Sequence, residues 1–235
     1  MFYICILKPF LYMTMKKTLM LLSVLVALPL FSTKASAQIA SMEVIDHMGF
    51  GYNIVKTNDF ETSTSGEFFV NIATLKLYPI ESIGLEIGVD YKTVDFNSKE
   101  DAFYLNSDKI IHAMPFTAKH PGVDNSKKNF SRFRTNTFSA PVTLNFVAGD
   151  FRIGGGAEAN YNLPGRVKDK FFIDGKKNKQ IDKGAQFNKF NYNFLVYLSY
   201  DGSGIYFKYY PKNSRLMPEA GVDVSFMTIG YILNM

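Results

Sequence analysis

From His47 to Met235 apolar and polar side chains alternate with a period of two in eight segments, which restricts the chain to β-strands separating two unlike environments. In Asn188 to Tyr200, residues Phe190, Tyr192, Phe194, Val196, Leu198 and Tyr200 share one face, while Lys189, Asn191 and Asn193 begin the other. Phe151 to Leu163 sets Phe151, Ile153, Ala157, Ala159, Tyr161 and Leu163 against Arg152, Gly154, Gly156, Glu158, Asn160 and Asn162. Ile83 to Lys92 sets Ile83, Leu85, Ile87, Val89 and Tyr91 against Gly84, Glu86, Gly88, Asp90 and Lys92. Segments around Met48 to Ile54, Phe138 to Phe146, Ile205 to Tyr209 and Ile229 to Met235 follow the same rule. Glu67 to Tyr78 makes an eighth strand whose phase is ambiguous. Val222 and Val224 have the opposite parity to Ile229 and Tyr231, which predicts a bulge near Ser225. No period of 3.6 persists beyond two turns.

The connections carry a second regularity. Pro79 to Ser82, Ala148 to Asp150 and Asp201 to Gly204 are short and rich in Pro, Gly and Asp, the chemistry of hairpin turns. Lys56 to Gly66, Asn97 to Ser131, Pro164 to Gln186 and Pro211 to Gly221 are long and polar. Short and long links alternate strictly, so an up-and-down sheet has all its short turns at one end and all its long loops at the other.

The polar face decides between a membrane barrel and a soluble one. It carries glycines and six charges, Glu86, Asp90, Lys92, Arg152, Glu158 and Lys208, three of each sign. The opposite face is aliphatic, with aromatics near strand ends (Tyr91, Phe138, Phe146, Phe151, Tyr161 and Tyr200), as in the interfacial girdles of transmembrane barrels. Strands of roughly 9 to 11 residues span a bilayer. Backbone groups in hydrocarbon must all be paired, so the eight strands close into a cylinder with no free edge. The expected fold is an all-β, eight-stranded antiparallel up-and-down transmembrane β-barrel. Its interior is a charge network in which Arg152, Lys92 and Lys208 need Glu158, Glu86 and Asp90 as partners. Such an interior is filled by side chains and leaves no aqueous channel.

Lys16 and Lys17, the apolar stretch Thr18 to Leu30, and Ala35-Ser36-Ala37 ahead of Gln38 form an export signal with a cleavage site. The expected organisation is a signal peptide over residues 1–37, of which 1–14 lie upstream of the conventional start at Met15, and a barrel domain over 38–235. The only cysteine, Cys5, lies in the leader, so the exported part uses no disulfide and no thiolate chemistry. The chain's pI near 9.0 invites a nucleic-acid reading. Of its 26 basic side chains, however, four (Lys8, Lys16, Lys17 and Lys34) fall in the leader with no acid, leaving 22 against 21 acidic ones. The nearly neutral remainder gives no reason to expect nucleic acid as a partner.

The last eight residues, Thr228-Ile229-Gly230-Tyr231-Ile232-Leu233-Asn234-Met235, resemble the final-strand signal read by the barrel assembly machinery, with Leu233 and Met235 where aromatics are usual. This ending, the leader, the alternating turns and loops, the Pro141-Val142-x-Leu144 of the fourth strand and Gly154-Gly155-Gly156 of the fifth together resemble the outer-membrane β-barrel domain family of Bacteroidetes-type bacteria, the "porin family" or PorT-like small barrels. The resemblance implies fold and an outer-membrane location and carries no catalytic residues over; the expected barrel has periplasmic termini and four surface loops. The glycine triplet lacks the strand-turn-helix setting of a phosphate loop and is expected to let the strand curve around large neighbours.

Candidate chemistry is sparse. His47 with Ser139 and Glu43 or Asp46 could be drawn as a base, nucleophile and orienting carboxylate, but no spacing supports it. His112 and His120 with Asp108 and Asp124 have no recognised metal-ligand spacing. Pro164 to Gln186 is the most basic segment: Arg166, Lys168, Lys170, Lys176, Lys177, Lys179 and Lys183 against Asp169, Asp174 and Asp182. Facing outward, it lies beside lipopolysaccharide phosphates, either as a surface anion-binding loop or as a solvated loop whose lysines only keep it soluble and extended. The expected function is therefore a monomeric, non-enzymatic outer-membrane protein that is structural, adhesive or ligand-binding through its surface loops. It has no cofactor, and its partners are outer-membrane lipid, lipopolysaccharide and, during biogenesis, the assembly machinery. The alternatives are a soluble lipocalin-like carrier of an apolar ligand and a lipid-modifying outer-membrane enzyme.

Overall fold

The structure, a computed structural model, describes residues 40–234, so the expected export leader and Met235 lie outside the described residues. Eight antiparallel strands close on themselves: β2 (His47–Lys56), β3 (Gly66–Ile80), β4 (Ile83–Ser98), β7 (Phe130–Ala148), β8 (Phe151–Asn162), β11 (Phe190–Tyr200), β12 (Ser203–Tyr209) and β13 (Ser225–Asn234), with β13 pairing back onto β2. Five further strands, β1 (Ala40–Val44), β5 (Asp101–Leu105), β6 (Ile111–Pro115), β9 (Gly165–Ile173) and β10 (Lys176–Ala185), and one helical turn, α1 (Phe116–Lys119), complete the described elements.

The stagger of the closed sheet can be read from its register. Register partners followed from Tyr231 through Ile205, Leu198, Ile153 and Phe146 arrive at Ile83. In the other direction, through Phe50 and Phe68, they arrive at Thr93 on the same strand, ten residues away. That displacement tilts the strands relative to the barrel axis, roughly 35 to 45° in barrels of this kind. The path through β2, β3 and β4 climbs toward the long-loop end.

The outer surface is an apolar belt. Phe50, Val89, Val142, Leu144, Ile153, Phe194, Val196, Leu198, Ile205 and Ile229 all point outward and are exposed. Aromatic pairs bound the belt: Phe151 and Tyr200 at the short-turn end, with ring centroids 4.8 Å apart, and Tyr91 with Phe138 (5.5 Å) and Tyr161 with Phe190 (5.2 Å) toward the long loops. Polar inside, apolar outside and closed, the sheet is a transmembrane β-barrel. Among the described residues the interior cavity of about 40 Å³ is too small for a carried ligand, and the belt would be left in water, which counts against the soluble carrier. Leu144→Arg, at a position 63% exposed in mid-belt, is expected to cost about 2–4 kcal/mol in a bilayer. A reduced folded fraction after refolding into vesicles, read as the mobility shift between unboiled and boiled samples, checks this.

Above the girdle β4 and β7 keep their phase but their two faces exchange polarity. On β4 the inward residues run Glu86, Asp90, Lys92 and then Val94, Phe96, while the outward ones run Val89, Tyr91 and then Thr93, Asp95. On β7 the outward side changes from Leu144, Val142 and Phe138 to Asn136, Arg134 and Arg132, and Phe133 points in. Beyond hydrocarbon the outer face meets water, so the apolar side chains turn inward.

The same inversion corrects the bulge expected near Ser225. β13 pairs with β2 without a break from Ser225↔Lys56 to Asn234↔His47. Val222, Val224 and Phe226 are buried on the inward parity that Thr228 and Ile232 continue. The bulge lies elsewhere. β3 shifts register between Asn71 and Ala73, so Glu67, Phe69 and Asn71 are buried before it and Thr74 and Lys76 after it. The ambiguous phase of that strand is this shift. Beside it β1 and β2 form one strand interrupted at Ile45 (φ 55°), whose N–H donates to Ile72 O at 3.2 Å.

The four long polar connections are not simple loops. β5 and β6 form a hairpin, β9 and β10 another, and β9 pairs with the extension of β7. All four long connections contribute to one apolar core at this end, among them Phe60, Phe103, Ile111, Val167, Phe187, Leu216 and Val222, packed on Phe96 and Phe133 of the strands. The rings interlock: Phe103 meets Phe60 and Phe133 edge-on at 4.8 Å each, and Phe96 stacks on Phe133 at 4.8 Å. The barrel therefore carries a folded head.

Candidate functional site

The barrel interior is a plug. Lys92 Nζ donates to Glu158 Oε1 at 2.7 Å and to the Tyr210 hydroxyl at 3.1 Å. Lys208 Nζ lies 2.7 Å from Glu67 Oε1 and 3.1 Å from Glu158 Oε2, and Lys92 lies 4.0 Å from Glu67 Oε2. The Tyr210 hydroxyl donates to Glu67 Oε2 at 3.0 Å, and Asn193 donates to Glu158 Oε2 at 2.9 Å. Two lysines and two carboxylates thus alternate, with their remaining lone pairs met by neutral donors, the condition under which buried ions are tolerated.

Glu86, Asp90, Lys92, Glu158 and Lys208 are buried on the inward parity with Arg152 partly so, and their pairing is not in full the one drawn from the sequence. Arg152 pairs with Glu86 at 3.2 Å, as the expected set allowed. Asp90 pairs with no cation among the described residues and instead accepts from Asn71 Nδ2 at 2.8 Å. Its place is taken by Glu67, which the register shift in β3 had hidden. A second cluster at the short-turn end joins Lys76 to Glu43 (2.5 Å) and Asp46 (3.0 Å). Between these layers remains a cavity of about 40 Å³, room for one or two waters and not for a channel. Gly154 and Gly156 leave the space expected of them: a Cβ at Gly154 would run into Tyr197, and one at Gly156 into the Val142 carbonyl.

The drawn catalytic and metal sets are not assembled. His47 Nδ1 is 3.1 Å from Asp46 Oδ2, whereas the Ser139 hydroxyl donates to Asn160 Oδ1 at 3.0 Å. His112 contacts Asn106 at 3.3 Å. His120 lies 2.9 Å from Asp169 and stacks on Phe171 at 3.8 Å. Asp169 is a buried knot in the head. It also accepts from Lys119 at 2.7 Å and from the Ser131 hydroxyl at 2.5 Å, tying α1, β7 and β9 together.

The basic segment folds into the β9–β10 hairpin around Asp174-Gly175, whose φ values of 50° and 71° are those of a two-residue type I′ turn. That Asp-Gly pair is the signal by which the hairpin could have been found in the sequence. Alternation and register then sort the charges. Asp169 turns inward, Asp174 occupies the turn and Asp182 lies 3.6 Å from Lys119. Arg166, Lys168 and Lys170 of β9 share the outer face with Lys177, Lys179 and Lys183 of β10, while Lys176 sits at the turn on the opposite parity. The extension of β7 adds Arg132 and Arg134, which pair in register with Lys168 and Arg166. Reading across β4, β7, β9 and β10, one row is Asp95, Arg134, Arg166, Lys183 and the next is Asn97, Arg132, Lys168, Ile181.

This face has eight cations and one acid. Asp95 is taken by Arg134 at 2.7 Å and approached by Arg132 at 3.8 Å, and the other six make no ion pair among the described residues. Arg134 opposite Arg166, Arg166 opposite Lys183, and Lys170 opposite Lys179 are like charges directly across a ladder, each unfavourable by roughly 0.2–1 kcal/mol. Partial desolvation, with Lys170, Lys179, Arg132 and Arg166 nearby, pushes the Lys168 ammonium below the usual lysine range. Folding alone does not call for such an arrangement, and an anion on the face would relieve it.

No protein-family model matches the chain, nor does any curated protein. Among solved structures it is similar to Ail, the attachment invasion locus protein of Yersinia pestis (12% identity, TM-score 0.33, covering 85% of this chain and 100% of that one). It is likewise similar to Neisserial surface protein A (12%, TM-score 0.37, 84% and 100%) and to the outer membrane protease OmpT from Escherichia coli (14%, TM-score 0.37, 78% and 68%). At this identity and overlap the transmembrane-barrel class of the chain rests on its own closed sheet and apolar belt.

Proposed function

We propose that the chain is a non-enzymatic outer-membrane surface protein that captures anionic ligands on the basic sheet of its head. The barrel, inserted after export through a cleaved leader and the assembly machinery, is the anchor. Its short turns face the periplasm and its head faces out, placing the basic face among the phosphates of the lipopolysaccharide layer. Membership of the Bacteroidetes-type porin family belongs to the same proposal, supported by Pro141-Val142-x-Leu144 and the glycine triplet. The observation that carries the reading is the outward sorting of eight cations onto one face, like charges paired across strands, while the hairpin's acids are directed elsewhere.

The test is binding of soluble, deacylated lipopolysaccharide phosphosugar to the purified barrel at low and high salt. Lys168→Ser/Lys179→Ser/Lys183→Ser is expected to weaken binding about tenfold or more, and salt to do the same for the parent, because exposed charges are screened. Binding indifferent to both would sink the proposal. Fractionation of cells, with heat-dependent gel mobility, checks the location.

A further inference from the structure

On the outer wall beside the basic face lies a trough of about 750 Å³. It forms where β3 begins late. Ser63, Thr64, Ser65 and Gly66 are small, and they lie between Phe50 and Tyr52 of β2 on one side and Asp95, Asn97 and Arg132 on the other. Ile229 and Tyr231 of β13 extend the apolar side. Since the path from β13 through β2 and β3 to β4 climbs the tilted barrel, the trough starts beside belt residues and ends among head residues. Its lower end is aromatic and aliphatic, and its upper end holds Lys99 and Arg132, with Asp95 already neutralised by Arg134.

Arg132 and Phe130 also line a second groove of about 380 Å³, completed by Lys128, Lys170, Phe172 and Lys177. The Arg132 guanidinium lies over the Phe130 ring at 5.0 Å, and no acid lines this groove. The two share Phe130 and Arg132, so their combined lining is apolar at the belt and cationic above it, a single path along the wall. A soluble anion has no use for the lower half, and an uncharged lipid has none for the upper.

We propose that this path is a lateral docking site for one phosphorylated glycolipid of the surrounding leaflet. Acyl chains lie along Phe50, Ile229 and Tyr231, and phosphates are held by Arg132, Lys99 and Lys170. This rests on reading the basic face as anion-binding and goes beyond it by naming a membrane lipid, one site and its apolar half. Recognition is by charge and shape, with no bond made or broken.

The test uses the full barrel in phosphatidylcholine nanodiscs, offered a bisphosphorylated acylated glucosamine disaccharide, its dephosphorylated form, or its deacylated soluble phosphosugar. The readout is the number of molecules retained per barrel by native mass spectrometry. The parent is expected to retain one bisphosphorylated lipid, with retention at least tenfold lower for the dephosphorylated one. Thr64→Trp, which fills the trough at an exposed position, is expected to lose the lipid at least tenfold while binding the soluble phosphosugar as the parent does. Lys170→Ala, at a side chain with no ion pair among the described residues, is expected to weaken both. Lipid retained equally by Thr64→Trp overturns the site. Lipid and soluble phosphosugar bound with equal affinity by the parent also overturns it, since the apolar half then contributes nothing, while leaving the basic face standing. No binding of the soluble phosphosugar at all overturns the underlying reading of the face.

Discussion

Glu158→Ala is expected to destabilise the barrel by about 3–5 kcal/mol, because it leaves Lys92 and Lys208 facing each other in a buried site with Glu67 as the one carboxylate within ion-pair distance among the described residues. Lys92, Lys208 and Glu158 are almost fully buried. The removed carboxylate also accepted from Asn193, so a neutral donor is orphaned with the two ammonium groups. Glu158→Gln keeps the shape and part of the hydrogen bonding, and a smaller loss is expected. Replacing Glu67, Lys92, Glu158 and Lys208 together by Leu and Met is expected to recover much of the loss, since a whole buried network can be exchanged for apolar side chains at little cost. The midpoint temperature at which the folded band converts to the unfolded one, compared across the four proteins, measures this. A quadruple variant less stable than Glu158→Ala would show that the plug contributes net attraction.

Phe133→Ala is expected to cost about 3–5 kcal/mol in the head while leaving the barrel's heat-dependent mobility close to that of the parent. Phe133 is fully buried and joins Phe96 of the barrel wall to Phe103 of the β5–β6 hairpin. Its removal opens a cavity at the centre of the interlocked rings, and the head depends on that core to hold the hairpins over the barrel. The charged plug lies between this core and the short-turn end and touches it at Tyr210, whose hydroxyl bonds Lys92 and Glu67, while its remaining ion pairs are made below the core. Trypsin sensitivity at the head lysines should rise sharply while the barrel survives digestion. Loss of the folded band together with the head would instead mean that the two form one cooperative unit. Because the basic face is built on β9 and β10, binding of soluble phosphosugar should fall with the head.

Much of the barrel was legible in the chain because alternation is a property of one strand. Phe190, Tyr192 and Phe194 against Asn191 and Asn193 announce an outward apolar and an inward polar side without reference to any neighbour, and the structure places them so. Asp201-Gly202 announces its own turn, with φ values of 46° and 75°. The residues missed are those whose role depends on what lies across from them. Glu67 was hidden by a register shift that reverses parity within its strand. Phe96, Phe103 and Phe133 were hidden because they sit where inside and outside exchange polarity, so an inward apolar residue there looks like a loop residue or a slipped phase. Arg132 and Arg134 stand far from the basic segment in sequence and join it only through the pairing of β7 with β9.

The sequence by itself determined eight strands, their order, which face meets hydrocarbon, which end holds the short turns, and that the interior is charged. These follow from the two-residue repeat and local turn chemistry, which act within a few residues. Only the tertiary structure decided that Glu67 stands in for Asp90, that four loops condense into a head with its own core, and that cations from three strands meet on one face beside a trough with an apolar lower end. Those outcomes depend on register and on the ten-residue stagger of closure, which arise when strands meet and are encoded in no single strand.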